Sequence, residues 1–119
     1  MSGAVARLKR RRDYLRVAAA RRKAVLPGMV VQALERDSDD SDVRAGFTAS
    51  RKVGNAVRRN KARRRLKALA DELLPSQGTP ATDYVLIARH TTVERDFADL
   101  RDDLEKALQR LSTKREART

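Results

Sequence analysis

Ser50-Arg51-Lys52-Val53-Gly54-Asn55-Ala56-Val57-Arg58-Arg59-Asn60-Lys61-Ala62-Arg63-Arg64-Arg65-Leu66-Lys67 reads as the end of a strand, a glycine turn and then a basic helix. Nine of these eighteen residues are cationic and none is acidic. So many like charges on one helix disfavour the isolated fold, by roughly a few tenths of a kcal/mol per close pair. A bound polyphosphate reverses the sign of that cost; a merely solvated helix leaves it standing. Gly54-Asn55 lets the chain turn from strand into helix and offers N–H groups to a phosphate. Arginine adds planar donors that clamp phosphates and stack on unpaired bases. On a 3.6-residue repeat, Ala62, Leu66, Leu69, Ala70 and Leu73 fall on one face, and Asn60, Arg63, Arg64 and Lys67 gather on another.

Upstream, Ala45, Phe47 and Ala49 alternate with Arg44, Gly46, Thr48 and Ser50, the pattern of a strand with one buried face. It is expected to lie antiparallel to a preceding strand, 29–34, across the acidic, turn-rich segment 36–42. Pro27-Gly28 is a stop signal, with room for a short extra strand near 22–25. A basic arm and a short helix around 12–20 open the chain. Downstream, 75–80 reads as a connection and 83–88 as a strand. Thr91 and Glu94 then have capping-box spacing, ahead of a stripe of Phe97, Leu100, Leu104, Ala107, Leu108 and Leu111 that belongs in a core. The expected class is α/β (α+β), in the order α-β-β-(β)-α-β-α around a small sheet.

The chain has 119 residues, enough for one domain, 1–119, with a basic arm 1–11 and fraying expected at 113–119. Lys and Arg number 28 against 16 Asp and Glu, a net charge of +12. The excess is concentrated: residues 1–30 carry +8, 31–42 carry −4, 43–70 carry +10 and 71–119 carry −2. Two basic blocks suggest a footprint on a polyanion, nucleic acid before an acidic membrane surface. No cysteine is present, which excludes disulfides and cysteine-ligated zinc. The one histidine, His90, reads as an ordinary strand-end residue and leaves too little imidazole for a multi-histidine metal site. Asp37, Asp39, Asp40 and Asp42 lack calcium-loop spacing and read as a solvated loop. Ser50 and Ser112 have no His–acid pair implied beside them, so no catalytic residue is expected. The longest nearly apolar stretch, 25–34, is too short to span a bilayer, and no apolar signal segment opens the chain. A cytoplasmic protein is expected.

The central stretch resembles the signature of the protein subunit of bacterial ribonuclease P, approximately S-[KR]-K-V-G-x-A-V-x-R-N-x-x-[KR]-R-x-[LI]-[KR]. Ser50, Lys52, Val53, Gly54, Ala56, Val57, Arg59, Asn60, Arg63, Arg64, Leu66 and Lys67 stand in those places. Gly46-Phe47-Thr48 fits the strand leading into it, and Leu8 to Tyr14 is similar to the family's basic, aromatic-bearing opening helix. The resemblance covers nearly the whole chain, although only the central signature is highly specific. It implies helices packed on a small sheet with a left-handed β-α-β crossover, a hand that chain geometry alone would not suggest. It also implies that the protein is not itself a nuclease. In the family, the basic helix binds a catalytic RNA, and a cleft between the first helix and the sheet holds the 5′ leader of precursor tRNA. The RNA subunit, with Mg²⁺, performs the hydrolysis.

Carried onto this chain, the resemblance makes Arg59, Asn60, Arg63, Arg64 and Lys67 the RNA-docking residues, supported by Arg51 and Lys52. Tyr14 would face the leader. Family members commonly carry a second aromatic one turn later, where this chain has Ala18. No metal intrinsic to the protein, no membrane and no obligate protein partner is implied. A structural ribosomal protein or RNA chaperone, and a DNA-binding regulator with its Arg-rich helix in the major groove, are the rival readings.

Overall fold

Pro27-Gly28 separates two runs rich in Val, Leu and Met, and the chain folds back on itself there. Lys23–Leu26 (β2) pairs antiparallel with Met29–Glu35 (β3), with Leu26 opposite Met29. The extra strand expected near 22–25 is therefore present. The computed structural model describes residues 5–37 and 39–117. The outermost parts of the basic arm (1–4) and of the C-terminus (118–119) lie outside the described residues.

The other elements are Ala6–Arg7 (β1), Arg11–Ala19 (α1), Arg44–Thr48 (β4), Ala56–Gln77 (α2), Thr82–Ala88 (β5) and Phe97–Ala117 (α3). They build a five-stranded mixed sheet in the order β1-β4-β5-β3-β2. Here the sequence expectation is corrected. β4 does not pair with β3; β5 inserts between them, antiparallel to β3 and parallel to β4. The reason lies in composition. Tyr84-Val85-Leu86-Ile87-Ala88 is apolar on both faces, and such a strand belongs where both faces are covered. The alternating strand β4 tolerates a place nearer the edge. β1 adds to its outer side, parallel, with Ala6 opposite Arg44.

On one face of the sheet, Met29, Val31 and Leu86 meet Leu66, Leu69 and Leu74 of α2 and Leu100, Leu104 and Leu111 of α3. The apolar stripes expected for both helices are thus core. On the other face α1 is anchored by Val17, fully buried against Leu8 and Val85. α2 continues through Pro75 to Gln77, where a connection was expected. A proline this near the end removes one hydrogen bond from a helix already held by six buried apolar side chains. The Gly78 N–H then closes the last turn on the Leu74 carbonyl at 2.9 Å.

The expected capping box at Thr91 and Glu94 does not form. Thr91 Oγ1 donates instead to the Pro27 carbonyl, and buried Thr92 Oγ1 donates to the Gly28 carbonyl, both at 2.6 Å. The threonines hold the β2–β3 turn, His90–Val93 makes a 3-10 turn, and α3 starts at Phe97. From α3, buried Asp103 accepts the Gly28 N–H at 2.9 Å and Arg95 Nε at 2.7 Å. At the opposite end of the sheet, Asp83, 1% exposed, accepts Arg36 Nη1 at 2.7 Å and Arg44 Nε and Nη2 at 2.7 and 2.6 Å. The Asp83 hydrogen bond raises the Arg44 pKa further above its ordinary value. Arg36 also binds Asp40 and the Asp42 carbonyl, so the acidic loop folds back on the sheet. Among the described residues, no helix is long and apolar enough to cross a membrane.

Candidate nucleic-acid interface

The basic face of α2 is aimed by the residues that start the helix. Ser50 Oγ accepts the Lys52 N–H, opening a 3-10 turn over Arg51–Val53. Gly54 leaves that turn at φ 141°, a backbone angle that side-chain-bearing residues rarely adopt. Asn55 Oδ1 then caps α2 by accepting the Arg58 N–H at 3.0 Å. With Ala62, Leu66 and Leu69 turned inward, Asn60, Arg63, Arg64 and Lys67 come to line one cleft of about 470 Å³. Leu8, Tyr14, Ala45, Phe47 and Arg7 complete its walls. Residues from α1 and α2 thus meet at the β1–β4 side of the sheet.

Tyr14 is half-buried, and its hydroxyl donates to the Leu8 carbonyl at 3.3 Å. Its ring occupies the space a side chain at Gly46 would take: a Cβ there would lie 2.5 Å from Tyr14 Cζ. The same ring packs against the small core of Leu8, Val17 and Val85. Tyr14 is both a wall of the cleft and part of what seats α1.

Two cations of the basic helix serve the fold instead. Arg65 Nη1 donates to the Thr92 and Val93 carbonyls at 2.8 and 2.6 Å, and Nη2 to the Arg95 carbonyl at 2.6 Å. Its guanidinium also stands 5.6 Å from the centre of the Phe97 ring. Arg58 Nε donates to the Val53 carbonyl at 3.2 Å, with Nη1 3.8 Å from Glu94. Arg63 hydrogen-bonds Asn60 within the cleft, and Arg64 and Lys67 are exposed.

Of the residues singled out in the sequence, Tyr14, Asn60, Arg63, Arg64 and Lys67 are brought together; Arg51, Lys52 and Arg59 do not line the cleft. Arg51 and Lys52 are exposed in the turn before α2, and Arg59 is half-buried. His90 is exposed at the turn before α3, away from the cleft lining. The walls combine cations with an aromatic ring, a surface suited to phosphates and an unpaired base. Among the described residues, no group of three or more His, Asp or Glu is placed to hold a metal ion.

The family model for ribonuclease P matches residues 3–112. The chain belongs to the ribonuclease P protein family. It is 45% identical to the ribonuclease P protein component of Paramagnetospirillum magneticum, covering 93% of this chain and 86% of that one. Against the ribonuclease P protein component of Ruegeria pomeroyi it is 47% identical, over 92% and 89% of the two chains. The solved ribonuclease P protein of Staphylococcus aureus superposes with a TM-score of 0.72 at 27% identity, covering 87% of this chain and 92% of that one. That of Thermotoga maritima gives 0.71 at 28%, over 87% and 96%. Ribonuclease P is a tRNA-processing endoribonuclease, and the mixed sheet with three helices is the fold of its protein component.

The ribonuclease P signature does not point to Arg7 or Phe47 as cleft residues. Arg7 Nη2 donates to Asp71 Oδ1 and Oδ2 at 3.0 and 3.2 Å, and its guanidinium lies 5.4 Å from the centre of the Phe47 ring. Phe47 was expected on the buried face of its strand. It is half-buried there and also forms cleft wall. The alternation that placed it was the available signal; nothing local announced the opening beside it.

Proposed function

We propose that this chain binds the catalytic RNA of ribonuclease P and the 5′ leader of precursor tRNA, assisting Mg²⁺-dependent removal of the leader. The observation carrying the reading is the single cleft joining Tyr14 to Asn60, Arg63, Arg64 and Lys67. Phosphates of the catalytic RNA would follow the α2 face, with Arg51, Lys52 and Arg59 contributing from its start. An unpaired leader base would rest on Tyr14, a contact typically worth about 1–3 kcal/mol. In this reading hydrolysis belongs to the RNA subunit, as the family resemblance implies. Mg²⁺ is assigned to the RNA and substrate; Asp71 and the buried Asp83 and Asp103 already accept arginine. Cytoplasmic action on precursor tRNA follows from the same reading.

The test is reconstitution with a cognate catalytic RNA at low Mg²⁺. The protein should restore 5′ cleavage of precursor tRNA, which an RNA chaperone or ribosomal protein would not do specifically. Protein freed of RNA and given Mg²⁺ should leave the precursor intact. Specific 5′ cleavage by protein alone would overturn the assignment of chemistry to the RNA.

A further inference from the structure

Along α2, Asn60, Arg64 and Lys67 fall at helical spacing, and the next residue in that series is Asp71. It is the first acidic residue after an uninterrupted basic run. A carboxylate there would meet the next phosphate of a strand following the helix face, with like charge against like.

Arg7 of β1 answers it. Besides its two contacts with Asp71, its Nη1 donates to the Val5 carbonyl at 3.0 Å, and Phe47 supports the guanidinium from below. Three anchors fix an arginine that also lines the cleft. The pair contributes little to stability, because the two side chains remain 30% and 46% exposed and solvent screens them. Its placement at the end of the phosphate-binding row is what gives it a function.

We propose that Arg7 is an internal counter-ion: it neutralises Asp71 and ends the phosphate-binding face of α2 just beyond Lys67, without itself contacting phosphate. The inference rests on the RNA-binding reading of the cleft. As a unit, the pair presents no net charge to RNA. Loss of Arg7 alone exposes a negative charge, loss of Asp71 alone releases a positive one, and loss of both restores neutrality. A direct phosphate ligand behaves otherwise. Asp71→Asn would tighten binding in that case too, but the double variant would stay weaker than wild type, because the phosphate contact is gone.

The experiment measures binding of the full chain to a labelled cognate catalytic RNA over a series of KCl concentrations. Asp71→Asn should bind several-fold tighter, with the slope of log K against log salt steeper by about 0.7–0.9, one counterion's worth. Arg7→Ala should bind more weakly, and the double variant should return to wild-type affinity and slope. Asp71 is exposed on a long helix, so the Asp71→Asn arm stands even if Arg7→Ala loosens β1, and Arg7→Gln, checked by thermal unfolding, keeps the double-variant arm readable. Salt-dependent wild-type binding with Asp71→Asn unchanged or weaker, or with a folded double variant as weak as the Arg7 variant, overturns this inference alone. A wild-type protein without salt-dependent binding overturns both the inference and the reading beneath it.

Discussion

Arg64 and Arg65 are adjacent in the chain and serve opposite ends. Arg64 is exposed on the cleft, whereas Arg65 reaches three carbonyls around the turn before α3. Hydrogen bonds from a charged donor contribute about 1.5–3 kcal/mol net. Arg65→Ala should therefore destabilise the protein by about 2 kcal/mol in urea unfolding while leaving the salt slope of RNA binding unchanged. Tyr14 has both duties in one side chain. Tyr14→Phe keeps the ring and removes only the 3.3 Å bond to Leu8, so unfolding should shift by no more than about 1 kcal/mol. Tyr14→Ala also strips the packing against Val17 and Val85, and should cost about 2–3 kcal/mol. If the ring holds the leader, Tyr14→Phe retains discrimination between long-leader and one-nucleotide-leader precursors, and Tyr14→Ala loses it. Equal affinities of wild type for the two precursors would remove Tyr14 from leader recognition. None of this duality is visible in the letters around Tyr14, because Gly46, which makes room for the ring, lies in another element.

Among the elements, α2 was the most legible in the sequence. Its apolar stripe and the row Asn60, Arg63, Arg64 and Lys67 follow from periodicity, and the structure places them on core and cleft. Its end was not legible, because six buried side chains outweigh the breaking tendency of Pro75. Nor was the start of α3, because Thr91 and Thr92 are taken by a hairpin turn more than sixty residues earlier. The row makes a direct prediction. Arg63→Ala with Arg64→Ala should make the salt slope of catalytic-RNA binding shallower by roughly 1.5, at about 0.7–0.9 per lost contact. Thermal unfolding should be nearly unchanged, since neither side chain belongs to the core. An unchanged slope would mean the RNA follows another surface.

For the whole molecule, strand order is what local sequence could not supply. Pairing is decided by which strand needs two covered faces, and that depends on where α1, α2 and α3 settle. Asp83 shows the consequence at one point: it sits at the start of the central strand and holds arginines from both neighbouring segments. Asp83→Asn leaves Arg36 and Arg44 charged and facing one another, and breaking a buried pair costs about 3–5 kcal/mol. Arg44 is itself 28% exposed, so the lower end is expected. Urea unfolding checks it, and a loss under about 1 kcal/mol would show that solvent replaces the carboxylate.

The central position of β5 also governs the order in which the chain can become a protein during synthesis. β1, β2, β3 and β4 all leave the ribosome before Thr82–Ala88, yet no two halves of the sheet can join until that segment arrives. Until then Met29–Glu35 and Arg44–Thr48 each keep an unpaired edge, the condition under which strands seek pairing with other chains. A nascent chain arrested at Ala81 should therefore be protease-sensitive and prone to associate, and one extended past Leu111 should not. The helix that would carry RNA is made in that interval, before the central strand it packs against is in place.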